Sequence, residues 1–257
     1  MQGKNAYCTA SAREFILKPY YEDSHCQIFH GNCLEILPAI QSVEHLITDP
    51  PYSRDFYQRM RTDHGSNRTS PVSLVALKAG EIGDINELFT PISKEIGRVL
   101  KRWGIVFSDL EFCQNWREAL VSAGLDYIRT GAWVKPNSLP QMSGDRPGVG
   151  FEVCTIVHPK GKKEWNGGGK PALWTHYISS GTERPDHPCP KPIKLMKQII
   201  AQFTDENETI LDPFAGSCTT GRAAKDLNRK SILIEMEEKY CEIGANRMTQ
   251  EVLQLGM

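Results

Sequence analysis

No two of the eight cysteines, at positions 8, 26, 33, 113, 154, 189, 218 and 241, stand in a Cys-x-x-Cys pair. That scatter argues against a zinc site or a disulfide framework and favours reduced thiols in a cytoplasmic setting. The seven histidines show no metal-ligand spacing either, so no metal is expected. No apolar run approaches the roughly 18 residues a membrane span needs. The opening stretch MQGKNAYCTASAREFILKPYYEDSH lacks the basic start and apolar core of a signal peptide. Excess charge of one sign is missing too. A formal net charge of −1 gives no bulk support for nucleic-acid binding, so local patches must supply any such contact. Internal repeats and low-complexity tracts are absent.

What is present is ordinary in bulk and informative in order. With 257 residues, 40% hydrophobic and 24% charged, the chain suits one large soluble domain, 1–257, with room for an insertion. Apolar runs at 26–30 and 43–48 read as strands, as do WGIVFSD, YIRTGAWVK and FEVCTIVHP. Leu88, Ile92, Ile96 and Val99 recur at helical spacing within 86–102, and EFCQNWREALVSAG forms a helix closed by Gly124. Residues 53–85 are polar with weak periodicity and are read as a long mobile loop; 136–190 is rich in Gly, Pro and Trp. From 191 onward a helix, a strand, a helix, a strand and a helix follow in turn. Such alternation indicates an α/β fold with a doubly wound, mostly parallel sheet.

Two strand ends carry chemistry. In TILDPFAGSCTTG the strand ends in Asp212, turns through Gly216, and a helix begins near Thr219, which brings bare backbone and helix N–H groups toward a nucleotide-like ligand. A second strand ends about twenty residues later in Glu235, a carboxylate suited to ribose hydroxyls. A plain glycine turn with a helix-capping acid would also satisfy this pattern. In HLITDPPYSRDFY a strand runs into Asp49, Pro50, Pro51 and Tyr52. Neither proline has an N–H to donate, so the strand ladder stops and a stiff corner follows. A carboxylate and a carbonyl on such a corner, followed by a flat ring, suit the capture of an amine on a planar base. A rigid corner with an Asp cap is the structural alternative.

The tetrapeptide 49–52, HPCPKP at 187–192 and DPFAGSCTTG at 212–221, in that order, resemble the S-adenosylmethionine-dependent DNA amino-methyltransferases of the permuted beta class. The likeness covers about residues 24–249 and implies a circularly permuted, Rossmann-like methyltransferase fold with an embedded recognition region at 136–186. The order fits the sheet. The chain ends after two of the expected strands, and 26–49 can complete it from the N-terminus. By resemblance Asp49, Pro50, Pro51 and Tyr52 are catalytic. Asp212, Pro213, Phe214, Gly216, Ser217, Thr219, Glu235, Asn32, Lys191 and Pro192 bind the cofactor, S-adenosylmethionine, with His187 and Pro188 beside the last two. Arg54 and Arg59, with Arg61 and Arg68, are candidates to grip phosphates; Lys162, Lys163 and Trp165 are candidates in the recognition region, together with Lys160, Lys170, Trp174 and His176. The chain departs from the family at Asn32, where Asp is common, and at Cys218, where Gly-Ser-Gly is usual. An Asp-first tetrapeptide implies adenine N6 as the target, with cytosine N4 the nearest alternative. An RNA or protein-glutamine methyltransferase and a catalytically silent DNA-binding protein are the more distant ones. DNA is the expected partner; a homodimer and a restriction-enzyme partner are allowed by the resemblance and selected by no residue.

Overall fold

The structure, a computed structural model, describes residues 18–52, 85–138, 144–145, 147–179 and 190–250. The expected loop 53–85, with Arg54, Arg59, Arg61 and Arg68, lies outside the described residues except for Ile85; so do His187 and Pro188. A short β1 (Tyr21–Glu22) and β2 (Cys26–His30) precede α1 (Cys33–Ile36) and β3 (His45–Thr48). Then come α2 (Ile85–Val99), β4 (Gly104–Ser108), α3 (Cys113–Ser122), β5 (Asp126–Val134), β6 (Phe151–His158) and β7 (Leu173–Thr175). The chain continues through α4 (Ile193–Phe203), β8 (Thr209–Asp212), α5 (Thr219–Asp226), β9 (Lys230–Glu235) and α6 (Glu238–Met248). Among the described residues no helix is long and apolar enough to cross a membrane.

All of these strands join one sheet in the order β1-β2-β9-β8-β3-β4-β6-β5-β7. The central strands are short and apolar because both their faces are covered. In β3, β8 and β4 alternate side chains go to opposite layers: Leu46, Leu211 and Val106 to one core, Ile47, Ile210, Ile105 and Phe107 to the other. The first core is closed by α2, whose Phe89, Ile92, Ile96 and Val99 form one buried stripe even though Pro91 removes a helix donor. The second is closed by α4 through Leu195, Met196, Ile199, Ile200 and Phe203.

The permuted order is realised directly. β2 pairs in parallel with β9, His30 opposite Glu235, and Gly31 N–H donates to the Glu235 carbonyl at 2.9 Å. On its other side β9 pairs with β8, and β8 with β3. After β8 the chain winds toward β9; after β3 it winds toward β4. The boundary between β8 and β3 is therefore a topological switch point, where a crevice opens beyond the strand carboxyl ends. Part of the segment 136–186 belongs to the sheet. β7 pairs with β5, and Trp174 is 1% exposed, packed on Gly131 with its ring N–H on Gln202 Oε1 at 2.8 Å. Trp174 is thus a core residue.

Candidate active site

Beyond the carboxyl ends of β3 and β8, Thr48 Oγ1 donates to Asp212 Oδ1 at 2.8 Å and ties the two strands across the switch point. Phe214 N–H donates to the same oxygen at 3.2 Å, and Thr220 Oγ1 to Oδ2 at 2.6 Å. Burial pushes the Asp212 carboxyl up to about 6 against the pull of these donors. Asp212 therefore holds the turn that follows it. That turn passes through Gly216 at φ 51° and Cys218 at φ 59°. Glu235, at the end of β9, accepts from Gly216 N–H at 2.7 Å and from Glu237 N–H at 2.8 Å, and burial raises its carboxyl above the ordinary value. Asn32 caps α1 by accepting from Leu34 N–H at 3.0 Å, directly after the strand paired with Glu235. The structure thus gathers Asn32, Asp212, Gly216 and Glu235 along one edge. A glycine turn, a strand-end carboxylate and a buried aspartate there fit an adenosyl-type ligand.

Ser217 and Thr219 are held from behind. Arg247 on α6 donates to the Ser217 carbonyl at 2.8 Å and reaches the Ser217 and Thr219 hydroxyls at 3.3 and 3.2 Å. Sequence reasoning missed this arginine, because no spacing links 247 to 217. Cys218 adopts the left-handed conformation that glycine takes more readily. Its sulfur packs over Gly244 of α6, where a Cβ would come within 2.3 Å of Sγ. The departure at 218 is thus accommodated by an absent side chain at 244.

Lys191 stands elsewhere than on the turn. Its ammonium donates to Asp49 Oδ2 at 2.5 Å, lies 2.9 Å from Glu152 Oε2 and 3.3 Å from the Tyr52 hydroxyl, and its side chain is 9% exposed. The Tyr52 hydroxyl donates to Glu152 Oε2 at 2.9 Å, and Lys135 pairs with Glu152 Oε1. Pro192 occupies the cap position of α4 and points the chain from Lys191 into that helix. The cluster holds two cations and two anions, which limits the cost of burying them. Its two carboxylates differ. Burial alone would raise Glu152, but Lys191 and Lys135 outweigh it and hold that carboxyl at about 2. Burial raises Asp49, with Lys191 opposing less successfully. Asp49 Oδ1 is buried and has no hydrogen-bond partner among the described residues. Burial would also lower Lys191, yet Asp49 and Glu152 keep its ammonium charged.

Glu152 and Lys135 were not visible as site residues. Both look like strand-end charges; only the antiparallel pairing of β5 with β6 turns Lys135 and Glu152 to the carboxyl edge of β3. The same pairing carries Lys162, Lys163 and Trp165 to the opposite edge, past His158. Eight residues of β6 span about 25 Å, so these three are remote from Asp49. There Lys162 pairs with Glu164, Lys163 with Asp126, and Trp165 packs edge-on against Phe203.

A family model described as DNA methylase matches residues 43–246. The chain is 28% identical over 260 residues to the Type II methyltransferase M2.LlaDCHI of Lactococcus lactis subsp. cremoris, covering 91% of this chain and 93% of that one. Among solved structures it resembles the M1.HpyAVI–SAM complex, with a TM-score of 0.67 and 25% identity over 88% of this chain and all of that one. It also shares its fold with PvuII DNA methyltransferase (cytosine-N4-specific), with a TM-score of 0.72 and 20% identity over 93% of this chain and 92% of that one.

Proposed function

This chain belongs to the N6/N4 DNA methylase family, and we propose that its target is the exocyclic N6 amine of adenine in DNA. It is a DNA amino-methyltransferase that uses S-adenosylmethionine. The observation that carries the amine-methylating reading is Asp49 Oδ1, a buried carboxylate oxygen left without a partner among the described residues, and the Asp-first order of the tetrapeptide 49–52 is what favours adenine over cytosine.

An exocyclic amine is a poor nucleophile because its lone pair is delocalised into the ring. Asp49 Oδ1 and the Pro50 carbonyl can each accept one amine hydrogen, which draws the nitrogen toward tetrahedral geometry. Pro51 stiffens the corner that aims both acceptors, and Tyr52 offers a face for an extruded base. When bound, S-adenosylmethionine supplies an electrophilic methyl group. Gly216, Glu235 and Asn32 would hold its adenosyl part, while Asp212, Arg247 and Gly244 keep the turn in shape. Methylation leaves the amine nitrogen with a proton to lose. Asp49, whose affinity for protons is raised by burial, receives it at Oδ1. Lys191 stays charged on Oδ2 and keeps the carboxylate in place. The chain's main contributions are positioning and electrostatics.

The test is incubation with methyl-labelled S-adenosylmethionine and DNA, followed by digestion to nucleosides and by modified-base sequencing. N6-methyladenine is expected. N4-methylcytosine would transfer the same chemistry to cytosine, and label in RNA or protein alone would overturn the reading.

A further inference from the structure

Glu152 touches both the tyrosine at the candidate base site and the cation on Asp49. Its Oε2 accepts from the Tyr52 hydroxyl at 2.9 Å and lies 2.9 Å from Lys191 Nζ, while Lys135 occupies Oε1. It stands on β6, which is hydrogen-bonded to β4 on one side and β5 on the other. That makes it a strand-held base for two partners that lie outside the strands: a tyrosine following two prolines and a lysine preceding α4. We infer that Glu152 is the positioning residue of methyl transfer, fixing the Tyr52 ring against the base and sharing Lys191 so that Asp49 stays a strong acceptor for the target amine.

The sharing matters because an ammonium has three hydrogens. In this structure Lys191 faces Asp49, Glu152 and Tyr52 together. Without the Glu152 carboxylate, Lys191 would press its charge onto Asp49 alone, and Asp49 would become a weaker acceptor. The Tyr52 hydroxyl would lose the oxygen that sets the plane of its ring. Both changes act on the reacting base and leave the cofactor turn, built from β8, β9 and α6, untouched. The inference rests on the functional reading above and extends it to a residue outside the three sequence motifs.

The experiment is a double-variant cycle on the full chain, with Glu152→Gln, Tyr52→Phe and both together. Single-turnover methyl transfer, calorimetric cofactor binding, thermal unfolding and emission from 2-aminopurine at the target position are read for each. Glu152→Gln should lower the transfer rate by about a hundredfold, the scale of a small misplacement at the reacting centre. It should leave cofactor affinity within about twofold of wild type. Tyr52→Phe should cost about tenfold, one hydrogen bond's worth, and the double variant should be no worse than Glu152→Gln. The 2-aminopurine signal should fall in both single variants. Losses that multiply in the double variant would overturn the inference. So would an unchanged rate with only a lowered unfolding temperature. If Glu152→Gln does not fold, Glu152→Asp keeps the charge and withdraws it from both partners; a wild-type rate there would be equally fatal. Asp49→Ala separates the two levels: an inactive Asp49→Ala beside fully active Glu152 variants defeats this inference alone. A wild type that methylates no DNA defeats the functional reading as well.

Discussion

At the amino edge of the sheet, Arg102 reaches Asp205 at 3.1 Å, Glu164 at 3.3 Å and also Glu208, which pairs in turn with His45 at 2.7 Å. At the carboxyl edge, Lys191 reaches Asp49 and Glu152. Both are clusters of opposite charge, yet the first lowers each of its three carboxylates while the second lowers Glu152 and leaves Asp49 raised. Asp205 is held below its ordinary value by Asn166 and Arg102, and Glu164 by Lys162 and Arg102. Burial would raise Glu208, but the Asp205 N–H, His45 and Arg102 bring it down. Asp49, Asp212 and Glu235 are all raised, burial being the largest cause in each. Glu152, on the same edge, is lowered instead, because the charges of Lys191 and Lys135 outweigh burial there. One end of the sheet uses charge to hold loops together. The other keeps Asp49 Oδ1 buried without a hydrogen-bond partner, and holds Asp212 and Glu235 by neutral donors, among the described residues, a setting in which acids can still answer to a ligand.

The pH dependences follow with opposite signs. A lowered carboxylate such as Glu208 contributes stability above its ordinary value and loses it as pH falls through the lower folded one. Asp212, raised to about 6, contributes a destabilisation that is full above about 6 and fades as pH falls toward the ordinary carboxylate range.

The sharpest test of the contrast is Asp49→Ala. It should reduce methyl transfer by on the order of a thousandfold or more while cofactor binding and folding persist, since the interaction is made at the reacting centre. Measured turnover near wild type would erase the distinction between the two edges. Arg102→Ala should do the reverse. It leaves Asp205 and Glu208 short of a cation, so denaturant unfolding should register a loss of about 2 kcal/mol, with normal turnover per folded molecule. Glu235→Ala should weaken cofactor binding by roughly 1–3 kcal/mol in calorimetry, from unpaired hydroxyls and a loosened Gly216. Asp212→Asn should be mildly stabilising at pH 7, on the order of 1 kcal/mol, while binding cofactor less well. In unfolding experiments that gain should shrink as pH is lowered from about 6 toward 4; a gain independent of pH would place the effect outside Asp212's ionisation.

Periodicity was enough to locate most elements, because apolar residues at spacing two or three to four have few other ways to be buried. The helix at Ile193–Phe203, the strand ends at Asp49, Asp212 and Glu235, and the parallel docking of 26–30 on β9 all lie in the chain order. β7 was not legible: three residues, two of them exposed, sit in a Gly-rich stretch that reads as loop. Trp174 therefore looked like a surface ring when it is a core one. Cys218 read as an anomaly because its compensation, Gly244, lies on another helix.

Local sequence determined the motifs, for each is a run of neighbours whose backbone chemistry is its own: two prolines make a corner wherever they stand, and a glycine turn after a strand exposes N–H groups. Tertiary structure alone decided which charges face which. Lys191, Glu152, Lys135 and Asp49 come from four separate segments. An antiparallel strand and a helix start bring their charged ends within hydrogen-bond reach. The same antiparallel strand sent Lys162, Lys163 and Trp165 to the far edge. Strand direction reverses the edge to which a residue belongs, and no pattern in the residues themselves encodes that direction before the sheet is assembled.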